Sequence, residues 1–267
     1  MATPARLVCQ FTKPFDFVPL AWLFALFFAI GVAPVRAADL HVLVPSGGLP
    51  AVRTLADAYM KETGDVVQIS GGAVGQVEGK FSSGIACDLL ILPPANLQSL
   101  EKAGRLAPDR AIPLERVYIG LGIRSGLAHP DISTEAGFRT ALLAANGVVY
   151  TKPDSVHGSL QANIIADLLA KPDFAGVRGV TVEGAKDDAV NQHWDMMLTL
   201  VSELPPVKPL PGVEFVGPLP ESLHAYIDFA AAIPATAADA ASARRFLDYL
   251  KRSQSEEAWH AHGAEPR

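Results

Sequence analysis

Cysteine is scarce in this chain of 267 residues, which has only Cys9 and Cys87. Cys9 lies in an N-terminal segment that we expect to be removed, so Cys87 has no partner for an intramolecular disulfide. The neighbours of Cys87 in IACDLLIL are apolar. This setting predicts a small buried core residue and not a nucleophile.

Positive charge is also scarce, because 22 basic residues face 28 acidic ones and the net charge is −6. The N-terminal segment carries Arg6, Lys13 and Arg36 against Asp16 alone, so its removal makes the chain more acidic. A nucleic-acid partner is therefore not expected, since neutralising phosphates requires a basic face. An anionic ligand would have to be held by local hydrogen-bond donors, because the overall field does not attract it.

Motifs for phosphate, cofactor and nucleophile chemistry are missing. GQVEGKF (75–81) ends like a P-loop, but its glycine spacing is one residue short and Phe81 replaces the hydroxyl. No G-x-G-x-x-G follows a strand, and no serine sits in a G-x-S-x-G turn. His260 and His262 have no third metal ligand that spacing predicts. We therefore expect no metal, no cofactor and no enzymatic activity.

The N-terminus has the layout of a signal peptide over residues 1–37. Arg6 and Lys13 precede an apolar run over 17–33, and Val35 and Ala37 occupy the small-residue positions of a cleavage site. Cleavage after Ala37 and a periplasmic location are expected. The alternative is an uncleaved membrane anchor, because the apolar run approaches spanning length.

The rest of the chain alternates between short apolar runs and segments of helical period. This alternation predicts βαβ units on parallel strands, and therefore an α/β fold. Long strands at 116–123 and 213–216 bracket the middle of the chain. If both cross between lobes, one lobe comprises 38–119 plus 213–267 and the other 120–212. The predicted strands are 40–44, 65–70, 87–92, 116–123, 147–151, 177–184, 195–204 and 213–216.

Three strand-to-helix turns are candidates for ligand binding, at 44–50, 70–75 and 153–159. Helix N-termini present unpaired N–H groups and the positive end of the helix dipole, which suit a compact anion. The alternative is that these are only tight connections with serine caps. The predicted ligand-binding residues are Ser46, Gly47, Gly48, Ser70, Gly72, Ala73, Val74, His157, Gly158 and Ser159.

Several stretches over about residues 39–266 resemble the periplasmic molybdate-binding proteins, a family of type II solute-binding proteins. They are LADAYMKETGDVVQIS, GGAVGQVEGKFSSGIACDLLIL, LQSLEKAGRL, VEFVGPLPESLHAYIDFAAAI and SARRFLDYLKRSQSEEAWHAHGAEP. The resemblance implies two α/β lobes joined by two crossing hinge strands, with an oxyanion bound in the cleft between the lobes. The family's two ligand-binding serines fall at Gly48 and Val74, and its tyrosine falls at Leu200, so all three hydroxyls are absent.

The resemblance implies a monomer that captures a small anion and delivers it to the membrane permease of an ABC importer. Molybdate or tungstate is the expected ligand, with a small carboxylate or another organic solute as alternatives. A ligand sensor on the same scaffold is a second hypothesis. A periplasmic enzyme that uses His157 and a nearby aspartate as general acid and base is a third.

Overall fold

A computed structural model describes residues 37–153, 159–182 and 194–267. These residues form ten strands and seven α-helices, which alternate along most of the chain. The strands are β1 (Asp39–Pro45), β2 (Val66–Gly72), β3 (Leu89–Leu92), β4 (Ile112–Arg124), β5 (Val148–Thr151), β6 (Gly179–Val182), β7 (Met196–Leu200), β8 (Val213–Pro218), β9 (Tyr226–Ala232) and β10 (Ala264–Pro266). The helices are α1 (Leu49–Thr63), α2 (Val74–Ser82), α3 (Pro94–Lys102), α4 (Glu135–Ala144), α5 (Leu160–Leu169), α6 (Ala240–Leu250) and α7 (Glu256–Ala261).

The strands follow the order β2-β1-β3-β9-β4-β7-β5-β6, and β8 and β10 also pair with β4. β1 is parallel to β2 and β3, and β5 is parallel to β6 and β7. The parallel pairs carry βαβ connections, as the alternation of the sequence predicts. The predicted α/β fold class is therefore confirmed.

β4 is the long strand that joins the two parallel groups. Its first half pairs with β9 and β10, and its second half pairs with β7 and β8, in every case antiparallel. The return path was expected as one strand at 213–216. It consists instead of β8 and β9, separated by a short 3-10 turn at Glu221–Leu223. The two halves of β4 thus receive different partners from the same returning segment.

Apolar side chains from both groups of strands bury against the helices. α1 buries Ala51, Val52, Leu55, Ala56 and Tyr59 at the spacing of one helix face, and Gly64 ends the helix at a φ of 78°. Tyr59 packs against Phe246 and Tyr249 of α6. Cys87 is buried, as predicted, and burial raises the pKa of its thiol to about 12. Within 37–153, 159–182 and 194–267, no helix is long and apolar enough to cross a membrane.

Candidate functional site

The first predicted turn, Ser46 to Gly48, lies between β1 and α1. Ser46 is exposed, whereas Gly47 and Gly48 are buried. Gly48 is the N-cap residue of α1, and no side chain caps this helix. Among the described residues, no acceptor is hydrogen-bonded to the N–H groups of Gly47 and Leu49. The turn therefore presents free donors at the positive end of a helix of 15 residues.

The second predicted turn lies beside the first, because the N–H of Ser46 donates to the carbonyl oxygen of Gly72 at 2.8 Å. One of its predicted donors and one of its predicted hydroxyl groups already have partners within the protein. The N–H of Ala73 donates to Oε1 of Gln76 at 3.0 Å, and Oγ of Ser70 accepts from Nζ of Lys80 at 2.9 Å. A ligand at this turn would compete with the Gln76 side chain for the first donor of α2. Lys80 provides a cation next to the turn.

The third predicted turn is described only at Ser159, which is half-buried and precedes α5. His157 and Gly158 lie outside the described residues. In the first turn of α5, Nε2 of Gln161 donates to Oε2 of Glu203 at 3.4 Å. The same oxygen accepts from Oγ1 of Thr199 at 2.5 Å. The start of α5 is thus joined to the segment that follows β7.

Leu200 connects this segment to the first turn. A Cβ atom on Gly47 would lie 3.1 Å from Cδ1 of Leu200 and 3.4 Å from Cε2 of Phe229. The surroundings of the first turn therefore include β9 and the end of β7. The apolar Leu200, which stands where the resemblance has a tyrosine, packs directly behind Gly47.

Glu115 on β4 completes the surroundings of the first turn, and the sequence analysis did not identify it. Its side chain is fully buried, and neither carboxyl oxygen has a hydrogen-bond partner among the described residues. A Cβ atom on Gly48 would overlap Oε1 of Glu115 and would lie 3.0 Å from its Cδ. Glu115 thus fills the volume where residue 48 would otherwise have a side chain.

Burial raises the pKa of Glu115 to about 8, because the charged form loses its hydration and gains no partner. The carboxyl group is therefore mostly protonated at neutral pH, and it is a neutral group with one donor and free acceptor capacity. A neutral hydrogen-bond donor at the N-terminus of a helix adds to the N–H groups there.

The model of the bacterial extracellular solute-binding protein family matches residues 40–265, which is most of the chain. The chain belongs to this family. It also has the fold of proteins in the predicted class. One of them is the substrate-binding domain of a putative molybdenum ABC transporter from Clostridium difficile, which superposes with a TM-score of 0.68. The two chains are 15% identical, and the superposition covers 86% of this chain and 99% of that one. The periplasmic molybdate-binding protein of Azotobacter vinelandii gives 0.62 and 20%, over 84% and 98%. The predicted resemblance is therefore confirmed at the level of the fold.

An enzyme is among the relatives of this solute-binding protein. An aconitate isomerase from a Pseudomonas species is 26% identical over 234 residues, which cover 85% of this chain and 87% of that protein. The scaffold therefore occurs both in proteins named for binding and in a protein named for catalysis.

Of the two histidines near the C-terminus of the solute-binding protein, His262 is partly buried and His260 is exposed. Nε2 of His262 lies 2.8 Å from Oγ1 of Thr54 on α1, and burial lowers the pKa of His262. Over the described ranges, no group of three or more His, Cys, Asp and Glu side chains is arranged to hold a metal ion.

Proposed function

We propose that this chain is the periplasmic solute-binding component of an ABC importer and that its ligand is a small anion held at the first two turns. The observation that carries the proposal is the adjacency of these turns, joined by the bond from Ser46 to Gly72 at 2.8 Å. Each turn opens a helix, and the first has free N–H groups and no side-chain cap. Two adjacent helix N-termini form an anion site, and Lys80 lies next to the second of them.

The ligand bridges two lobes, comprising 38–119 plus 213–267 and 120–212, and β4 with the β8–β9 segment is the hinge. Binding shifts the population to a closed form, which docks on the permease. The family match and the likeness to molybdate-binding folds support this role. The hydroxyl-free residues Gly48, Val74 and Leu200 favour donors other than those of the resemblance, so a carboxylate ligand is tested alongside an oxyanion.

A thermal-shift and calorimetric titration of the purified protein tests the proposal with molybdate, tungstate, sulfate and aconitate. A ligand that binds only the folded state raises the melting temperature by mass action. Stabilisation by molybdate or tungstate identifies an oxyanion as the ligand, and stabilisation by aconitate alone identifies a carboxylate as the ligand. The proposal of anion binding is wrong if none of these anions gives heat or a thermal shift at a ligand concentration of about 100 times a micromolar dissociation constant.

An isomerase is the second candidate function, and the relative named aconitate isomerase is the observation that favours it. An isomerisation involves no net oxidation or reduction, and acid–base catalysis needs a group that exchanges a proton near neutral pH within hydrogen-bond reach of the substrate. Glu115, with its pKa raised to about 8, exchanges a proton near neutral pH. Proton NMR of aconitate incubated with the protein distinguishes the two functions: a second isomer appears for an enzyme, and the spectrum stays unchanged for a carrier.

A further inference from the structure

Glu115 has no role in holding the fold together that its contacts reveal. It lies on β4 opposite Phe229 of β9 and Pro266 of β10, and its carboxyl oxygens are buried without partners. A buried polar group without a partner is destabilising, and proteins retain few such groups. The carboxyl group therefore calls for a partner that the described residues do not supply.

Charged groups on β4 and on the elements beside it have hydrogen-bond or ion-pair partners other than Glu115. On the opposite face of β4, the guanidinium of Arg116 donates to both carboxylate oxygens of Asp228 at 2.6 and 2.8 Å. Glu265 of β10 accepts from the hydroxyl of Tyr118 at 2.9 Å and lies 4.0 Å from Arg267. Lys251 donates to the carbonyl oxygens of Pro113 and Arg267. The first turn of α1 has no titratable group, and burial alone shifts the pKa of Glu115.

The direction of the side chain indicates where the missing partner lies. Oε1 occupies the volume of an absent side chain on Gly48, which is the N-cap residue of α1. An N-cap side chain is the group that hydrogen-bonds at the start of a helix.

We propose that Glu115 is a ligand-contacting residue, whose protonated carboxyl group replaces the hydroxyl missing at Gly48 and donates a hydrogen bond to an anion on the first turn. This inference rests on the proposed anion binding. It gives the site a donor that carries no charge in its active form and that is lost on ionisation. An ionised Glu115 would repel the anion, so binding takes place to the protonated form.

The test is the pH dependence of binding, measured by calorimetry with molybdate and with aconitate over the pH range in which the ligand itself stays fully ionised. In the unmodified protein the dissociation constant is level below the pKa of Glu115 and rises up to tenfold per pH unit above it. In Glu115→Gln, which keeps a donor but cannot ionise, the dissociation constant changes less than about twofold over the same range. In Glu115→Leu, which has no donor, it is about ten- to a hundredfold higher at neutral pH.

Glu265→Gln is the matched control, because it removes a glutamate on the adjacent strand whose side chain has another partner. It should keep the pH profile of the unmodified protein. The inference is wrong if Glu115→Leu binds as tightly as the unmodified protein, or if Glu115→Gln keeps the unmodified profile. Either result leaves anion binding intact, whereas loss of binding in the unmodified protein overturns both proposals.

The ionisation of Glu115 can also be measured in the protein without ligand. Carbon-13 NMR of the glutamate carboxyl groups, with Glu115→Gln to assign the signal, reports the ionisation of Glu115 in the free protein. The signal should titrate well above the ordinary range of glutamate. Titration near the ordinary value would overturn the inference whatever the ligand.

Discussion

The side chain of Glu115 occupies the volume that a side chain on residue 48 would need, so its position depends on the glycine there. The φ of −89° and ψ of −13° at Gly48 suit any L-residue, so the backbone does not require glycine there. The Glu115 carboxyl group does require it, because a Cβ atom on residue 48 would overlap Oε1. The small residue thus makes room for a polar group that comes from a strand far away in the sequence.

The contact between Gly48 and Glu115 predicts the outcome of introducing a serine at position 48. Gly48→Ser should lower the free energy of unfolding by about 1–3 kcal/mol, because the new side chain has to displace a buried carboxyl group. Adding Glu115→Ala should recover most of this loss, since the serine then occupies the vacated volume. Urea denaturation of the two single variants and the double variant measures the coupling.

Gly79→Ser is the control, because a Cβ atom on Gly79 would meet nothing within 4 Å. It should change the free energy of unfolding by no more than about 0.5 kcal/mol. Strictly additive effects of Gly48→Ser and Glu115→Ala would contradict the shared volume.

Glu115 escaped prediction because β4 begins earlier than the apolar run suggests. The run RVYIGLGI predicts a strand from residue 116, whereas β4 begins at Ile112. Once the strand is extended, Glu115 falls on the same face as Val117, Ile119 and Leu121, which are all buried. The alternation of residues along the strand could therefore have predicted that Glu115 is buried. It could not have predicted the contact with Gly48, because the tertiary fold alone brings Gly48 to this face of β4.

At the scale of elements, the first three βα units were predictable because each strand is an apolar run that leads into a helical period. β1 and β2 agree with the expected strands at 40–44 and 65–70 to within two residues. β9 was missed as a separate strand because its second half, FAAA, has small side chains that fit a helix as well. Pairing with both β3 and β4 makes this segment a strand, and a sequence does not show that pairing.

Asp88 shows how one buried side chain ties elements together. Its carboxylate accepts from the N–H groups of His41 at 2.9 Å and Ala238 at 2.8 Å, so it joins β1 to the loop before α6. Gly84 and Asp88, which are four residues apart, both have structural roles in this connection. Gly84 adopts a φ of 84°, which favours glycine, and Asp88 holds two distant backbones.

Asp88→Ala should lower the free energy of unfolding by about 3 kcal/mol, because it leaves two backbone donors without their charged acceptor. Asp88→Asn should lose less, since one acceptor oxygen remains. Asp57→Ala, on the exposed face of α1, is the matched control and should stay within about 0.5 kcal/mol. Chemical denaturation measures all three, and an Asp88→Ala loss no larger than the control's would show that the tether contributes nothing.

At the scale of the molecule, β4 is the element through which a hinge would have to work. Its second half is closely packed, because a Cβ atom on Gly122 would lie 2.9 Å from both Leu204 and Val213. Its pairing with β8 shifts register between Leu121 and Gly122. If the proposed lobes close, a glycine next to this register shift is a place where β4 can bend without breaking all of its hydrogen bonds to the neighbouring strand.

The proposed closure of the two lobes predicts a distance change that fluorescence energy transfer can measure. Dyes attached through Asp57→Cys on α1 and Asp167→Cys on α5, both exposed positions, should approach each other when an anion binds. Cys87 should stay unlabelled, because it is buried and its pKa is raised to about 12. A pair at Asp57→Cys and Glu101→Cys, within one proposed lobe, should show no change. Equal responses of the two pairs would contradict the lobe boundaries. A response of the first pair that persists in Glu115→Leu at the same anion concentration would mean that closure does not need the donor on β4.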